Sequence, residues 1–124
     1  MSDDEGGRIR SYRDLVVWQK AVDAAVLVYG VARCFPREEV YGLQAQTTRA
    51  AASVAANIAE GQARGSPKEF AHFLSIAKGS VAETETLLEI AIRLTYVGRE
   101  EARSALVVLD EISRMIAVLR SRIG

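Results

Sequence analysis

One cysteine, one histidine and two prolines in 124 residues leave few of the side chains from which a secreted, metal-binding or loop-rich protein is built. The lone Cys34 cannot close an internal disulfide. The opening Met1-Ser2-Asp3-Asp4-Glu5 is acidic where a secretory leader would be basic and then apolar, so a cytoplasmic protein is expected. Asp23 and Arg33 interrupt the richest apolar stretch, which falls short of the ~20 residues of a membrane helix, and no membrane partner is expected. Neither charge sign dominates, with 16 basic and 16 acidic side chains, and this balance argues against coating nucleic acid by bulk electrostatics. Three of the acids, Asp3, Asp4 and Glu5, belong to a glycine-ended segment read as part of a flexible tail over residues 1–11. Without them the count is 16 basic to 13 acidic, so the single domain expected over residues 12–124 is mildly basic.

What the chain has is helical periodicity, repeated four times over an apolar fraction of 49% that is ample for one core. The first helix is expected from Asp14, as its cap, to Phe35-Pro36, with Trp18, Ala21, Val22, Ala25, Val28, Tyr29 and Ala32 inward. Ala24, Leu27 and Val31 make a second apolar line, which predicts cover on more than one side and hence contacts between copies. The second helix is expected from Glu38 or Gly42 to Ala59 or Gly61, with Leu43, Ala50, Ala51, Val54 and Ile58 inward. Ser66-Pro67-Lys68-Glu69 then reads as a cap, a first-turn proline and the far half of a capping box. From Pro67 a seam of Phe70, Leu74, Ala77, Val81, Thr84, Leu88, Ala91 and Thr95 predicts a helix to Tyr96, about 45 Å long. A fourth helix is expected over Arg99 to Arg122, with Ala102, Leu106, Leu109, Ile112, Ile116, Leu119 and Ile123 inward. Short connections between long helices force antiparallel neighbours, so the fold class is all-α, an up-down-up-down four-helix bundle.

Catalytic and metal chemistry find little support. Glu69-x-x-His72 has the spacing that ferritin-like bundles use for paired metals, but such a centre needs that unit twice, and His72 is the only histidine. No metal and no cofactor are expected. Cys34 has no nucleophile motif around it and reads as a small apolar filler at a helix end. Gly61 to Lys68 lacks the Gly-Lys-Ser/Thr ending of a phosphate loop and the strand before it. The expectation is a protein that is not an enzyme.

Basic clusters carry the functional reading. Arg64 and Lys68 flank the exposed N–H groups at the start of the third helix, a plausible anion site unless Ser66 and Glu69 already satisfy those groups. Arg114, Arg120 and Arg122 make the end of the fourth helix basic, as the helix dipole alone would also favour. Arg8, Arg10 and Arg13 form a third cluster before the first helix. Asn57 with Glu60, and Ser80 with Glu83, are polar pairs one turn apart on otherwise apolar helices, read as a structural polar network that fixes register, with Arg49 as a further partner.

Tyr12-Arg13-Asp14-Leu15-Val16-Val17-Trp18-Gln19-Lys20-Ala21 resembles the opening signature of bacterial four-helix-bundle proteins first noticed as reading frames inside 23S ribosomal RNA intervening sequences. Tyr41-Gly42-Leu43, Gln46, Arg49-Ala50, Ser53, Asn57-Ile58-Ala59-Glu60-Gly61, Lys68-Glu69-Phe70, His72-Phe73-Leu74, Gly79-Ser80 and Glu83 continue the resemblance over most of residues 12 to 97. Departures lie at Thr48, where members often have a second arginine, at Ala55, where many have proline, and in the loop Gln62-Ala63-Arg64-Gly65, commonly richer in cations. The resemblance implies a ring, usually a homopentamer, without catalytic activity. A related branch, the accessory variability determinant of diversity-generating retroelements, works with a reverse transcriptase and its RNA through a basic surface. By carry-over Arg49, Arg64 and Lys68 join Arg114, Arg120 and Arg122 as candidate nucleic-acid contacts, with RNA or DNA, a reverse transcriptase or another protein as expected partners. The leading expectation is a ring-forming RNA-associated accessory factor. The alternative is a self-assembling or protein-interaction module that binds no nucleic acid.

Overall fold

Ser11 builds the first capped turn. In the computed structural model, which describes residues 9–123, its hydroxyl accepts a hydrogen bond from Arg13 N at 3.1 Å, while the Asp14 carboxylate accepts from Arg10 N at 2.8 Å and Ser11 N at 3.2 Å. This capping box closes a 3-10 turn over Tyr12–Asp14, and the two N–H donors hold the Asp14 carboxyl below its ordinary range. Asp14 therefore caps the turn before the first helix and not the helix itself. Helix α1 spans Val16–Ala32, and Leu15 at its N-cap makes no side-chain capping bond. The rest of the N-terminal tail, with Asp3, Asp4, Glu5 and Arg8, lies outside the described residues.

Helix α1 buries Val17, Ala21, Ala24, Val28, Val31 and Ala32, whereas Trp18, Val22 and Ala25 are half-buried and Tyr29 is exposed. The core face is rotated by about one residue from the line expected, because Ala24 and Val31 of the second apolar line point inward. At the far end of α1 the chain turns through Phe35, which is buried against Tyr96 with ring centroids 6.0 Å apart. Cys34 beside it is exposed, so the filler at that helix end is Phe35 and not the cysteine.

Helix α2 runs Leu43–Ala63, and its cap comes from a residue outside it. Glu39, in a 3-10 turn over Arg37–Glu39, accepts from Leu43 N at 2.8 Å and from the Tyr96 hydroxyl at 2.9 Å. The first of these bonds, aided by the second, lowers the Glu39 pKa. Gly61 does not end the helix. A Cβ placed there would lie 2.6 Å from Phe73 Cβ and 3.2 Å from Phe70 Cδ1, so the glycine is a point of close approach between α2 and the next helix, and α2 continues past it.

Helix α3 spans Pro67–Arg93 and ends three residues earlier than the seam predicts. Thr95 adopts a left-handed φ of 62°, Thr95 N donates to Ile92 O at 3.0 Å and Tyr96 N to Ala91 O at 2.9 Å. This is a Schellman motif with a β-branched residue where glycine is usual. It takes Thr95 out of the core and turns Tyr96 towards Glu39. Helix α4 spans Arg99–Ile123 and buries Ala102, Ala105, Leu109, Ile112 and Ile116, while Leu106, Leu119 and Ile123 are half-buried.

The four helices pack antiparallel in sequence order, α1 against α2 and α4, and α3 against α2 and α4, so that α1 and α3 stand at opposite corners of the bundle. Ile58, Leu74, Leu88, Leu109, Ile112 and Ile116 fill its interior. No helix among the described residues is long and apolar enough to cross a membrane.

Glu89 clasps the α3–α4 hairpin, accepting from Arg99 at 2.9 and 3.0 Å and from Arg93 at 3.0 Å. Arg99 first, and then Arg93, pull its pKa from 4.5 to about 2. A lowered carboxylate pKa means that the clasp stabilises fully above pH 4.5 and fades as the pH falls towards 2. Melting temperatures of the parent and Glu89→Gln should therefore differ at pH 6 and converge as the pH falls towards 2, as followed by circular dichroism.

Candidate nucleic-acid interface

Three separate segments meet at one end of the bundle. The start of α1 lies beside the end of α4, because Leu15, Val16 and Val17 share a groove of about 550 Å³ with Glu111, Arg114, Met115, Val118, Leu119 and Arg122. The end of α4 reaches the start of α3, where Arg120 Nε donates to Ala71 O at 3.3 Å. The loop between α2 and α3 belongs to the same end by connectivity. Arg10 and Arg13, Arg64 and Lys68, and Arg120 and Arg122 thus gather around three carboxylates, Asp14, Glu60 and Glu69. The opposite end is more evenly paired, with Glu89 holding Arg93 and Arg99, and Glu100 holding Arg103.

The residues of this end differ in how much of their charge is already engaged. Ser66 Oγ accepts from Glu69 N at 3.1 Å and Pro67 occupies the first turn, as the local sequence requires. Gly65 takes the left-handed φ of 81° that brings the chain round. The Glu69 carboxylate, however, does not return to the cap. It accepts from Arg64 at 3.1 Å, and Arg64 also binds Glu60 at 2.7 Å while its guanidinium lies 4.9 Å from the Phe73 ring centroid. The Glu60 bond, with Glu69 in support, raises the Arg64 pKa. Arg64 therefore ties α2 to α3 as well as adding charge. Lys68, Arg120 and Arg122 have no ion-pair partner among the described residues, and all three are exposed.

Arg13 is held by aromatic rings. Its guanidinium lies 5.5 Å from the Tyr12 centroid and 5.6 Å from that of Trp18, the two rings meet edge to face at 5.1 Å, and Gln19 Nε2 donates to Arg13 O at 2.8 Å. The opening motif from Tyr12 to Gln19 is thus a folded unit that fixes a cation at the bundle end.

Of the other two sequence candidates, Arg114 lines the inner part of the same groove as Arg122, and Arg49 lies elsewhere. Arg114, about 12 Å down α4 from Arg122 at 1.5 Å per residue, is paired with Asp110 at 3.0 Å. Arg49, about 22 Å along α2 from Arg64, opens on a small cavity of about 190 Å³ with Gln46, Ser53 and Glu83. The polar residues between α2 and α3 centre on Ser53, whose hydroxyl is 2.6 Å from that of Ser80 and which the sequence pairs had not included. Asn57 Nδ2 donates to Ser53 O at 2.8 Å and Thr84 Oγ1 to Ser80 O at 2.7 Å. Glu60 leaves this set for Arg64, and Glu83 faces the Arg49 cavity.

Glu69 is committed to Arg64, and His72 is exposed with its ring edge to face against Phe73 at 5.4 Å. Among the described residues no three His, Cys, Asp or Glu side chains gather as a metal-ion site.

The comparisons with known proteins agree with this architecture. A family model described as 23S rRNA-intervening sequence protein matches residues 13–118. A crystal structure of a protein of unknown function from the S23 ribosomal protein family of Bacteroides thetaiotaomicron superposes with a TM-score of 0.78 at 29% identity, covering 85% of this chain and 98% of that one. No curated protein matches the sequence.

Proposed function

Because the chain belongs to the 23S rRNA-intervening sequence protein family, we propose that it is a ring-forming RNA-associated accessory factor of the cytoplasm, a homopentamer that performs no catalysis itself. The observation that carries this reading is the meeting of Arg10, Arg13, Lys68, Arg120 and Arg122, from three distant segments, at one end of a chain with no net charge. One such patch is weak. Copies arranged around a ring axis present it repeatedly on one rim, so that each contact raises the effective concentration of the next. Phosphate is the chemistry the patch suits, since guanidinium and ammonium groups that outnumber the carboxylates beside them attract any phosphodiester backbone. The reverse transcriptase of a retroelement, bringing its own RNA, is the partner of the same kind implied by the related branch.

Filter binding of a structured RNA tests the reading. Retention is expected at 50 mM salt with a steep fall by 200 mM, the response of a contact dominated by phosphates. Absence of retention at both salts would overturn it, as would a strictly monomeric mass by light scattering.

A protein-interaction module without nucleic acid is the second reading. It is favoured by Val26, 67% exposed on the side of α1 away from the core. Capture of one protein partner that survives nuclease and high salt, with no RNA retained, is its signature.

A further inference from the structure

Residues 1–8 precede the described part of the chain and carry Asp3, Asp4 and Glu5 in succession, then Gly6, Gly7 and Arg8. Where this segment joins the bundle is fixed. Arg10 N and Ser11 N both donate to the Asp14 carboxylate, at 2.8 and 3.2 Å, and the turn Tyr12–Asp14 packs on α1 and α2. The three acids are therefore tethered at the basic end of the bundle.

That end is also where the positive charge of the described residues is concentrated. It holds six cations, Arg10, Arg13, Arg64, Lys68, Arg120 and Arg122, against Asp14, Glu60 and Glu69, a surplus of three. The other described residues hold nine cations and ten carboxylates. The carboxylates of the basic end are already engaged, Asp14 by backbone N–H groups and Glu60 and Glu69 by Arg64. None of them pairs with Lys68, Arg120 or Arg122.

We propose that Asp3-Asp4-Glu5 folds back onto the basic end of its own chain and competes there with phosphate chains, a built-in counter-charge that nucleic acid must displace. The competition rests on the RNA-binding reading, whereas the folding back does not. The five residues from Arg10 to Glu5 reach up to about 17 Å. Packed helices stand about 8–10 Å apart, so the end of α4 and the start of α3 are both within that reach. Gly6 and Gly7 permit the reversal, because a residue without a Cβ takes φ of either sign without a clash. Arg8 lies three residues nearer the tether, which leaves three consecutive carboxylates for the patch. Each contact is weak at a solvated surface, but a short tether holds the segment at an effective concentration on the order of millimolar. A separate acidic protein would arrive without that advantage.

Trp18, the only tryptophan, reports on the site because Arg13 lies over its ring at 5.6 Å. In the full chain carrying Cys34→Ser, a nitroxide on Ser2→Cys should quench Trp18 fluorescence more at about 50 mM salt than at about 200 mM. Asp3→Asn/Asp4→Asn/Glu5→Gln should bring the low-salt quenching down to the high-salt level. Equal quenching with acidic and neutral segments would overturn the docking. Without the label, the neutral segment should raise affinity for structured RNA roughly three- to tenfold at about 50 mM salt, with the gain closing by about 200 mM. Glu38→Gln/Glu100→Gln/Glu101→Gln removes as many exposed charges from the opposite end, and its gain should stay below about twofold. An equal gain would overturn the competition, since net charge alone would then set the affinity. Unchanged RNA affinity beside salt-sensitive quenching would likewise overturn the competition and leave the docking standing. Failure of every one of these proteins to bind RNA would overturn the RNA reading and the competition with it, and the quenching would still decide the docking.

Discussion

Gly61→Val is expected to abolish cooperative folding at moderate temperature, and Gly61→Ala to cost about 1–2 kcal/mol in net stability. A Cβ at this position would lie 2.6 Å from Phe73 Cβ, 3.2 Å from Phe70 Cδ1 and 3.4 Å from the Phe70 carbonyl oxygen. None of these is the free end of a flexible side chain that could swing away. Alanine gains up to about 1 kcal/mol in helix propensity, yet the overlap with α3 outweighs it, since relief requires parting the two helices by several tenths of an ångström. Parting them there would also strain the Ser53–Ser80 hydrogen bond at 2.6 Å and the Arg64 bridge to Glu69 at 3.1 Å. Urea unfolding monitored by far-ultraviolet circular dichroism gives the measurement. A parent-like midpoint for Gly61→Val would show that α2 and α3 do not approach as closely as described.

Reversing the charge of the bundle end in Lys68→Glu/Arg120→Glu/Arg122→Glu should weaken structured-RNA binding on the order of 100-fold at moderate salt, because three phosphate-facing cations are lost from every copy. The logarithmic salt slope should fall in parallel, by roughly one for each phosphate contact removed. These residues are exposed and free of ion pairs among the described residues, and the one bond lost between helices, from Arg120 Nε to Ala71 O, is a long and exposed one of 3.3 Å, so the melt of the variant should stay near that of the parent. Arg114→Glu is the matched comparison. It changes an arginine of the same helix, but one paired with Asp110 and set back from the end, and it should change RNA affinity little. Equal loss from Arg114→Glu and from the triple variant would mean that bulk charge, and not the end of the bundle, governs binding. Arg64 is left out of the triple variant because its bonds to Glu60 and Glu69 join two helices, and its loss would confound binding with folding.

Local signals in the sequence suffice where the interaction they encode is local. Ser66 and Pro67 define the start of α3 because a cap and a first-turn proline act within four residues of chain. The inward line of α4 follows from a periodicity in which apolar and charged residues are cleanly separated. The reading of α1 is off by a residue around the helix axis because Trp18, Val22 and Ala25 offer as continuous an apolar line as Val17, Ala21 and Ala24, and only the neighbours choose between them. Glu39 and Tyr96, 57 residues apart, were beyond reach for the same reason. The glycines show the limit most clearly. Gly61 marks a close approach and Gly65 a left-handed turn, two different demands that look alike as single letters four residues apart. At the candidate interface, membership of the basic clusters was legible from runs of arginine, but their meeting was not, since it depends on the alternation of helix direction bringing two starts and two ends together.

The exposed Cys34 lies at the end of α1, a helix length away from the basic end of the bundle. As the single thiol of the chain, it fixes one chemically addressable point per protomer, where a label leaves the basic cluster untouched. Spin labels there turn the subunit number into a ruler problem. In a regular pentagon the copies have two separations in the ratio of about 1.6, whatever the radius, whereas a tetramer gives a ratio of about 1.4 and a hexamer a third distance, so dipolar spectroscopy would report the order of the symmetry axis without knowledge of the ring diameter.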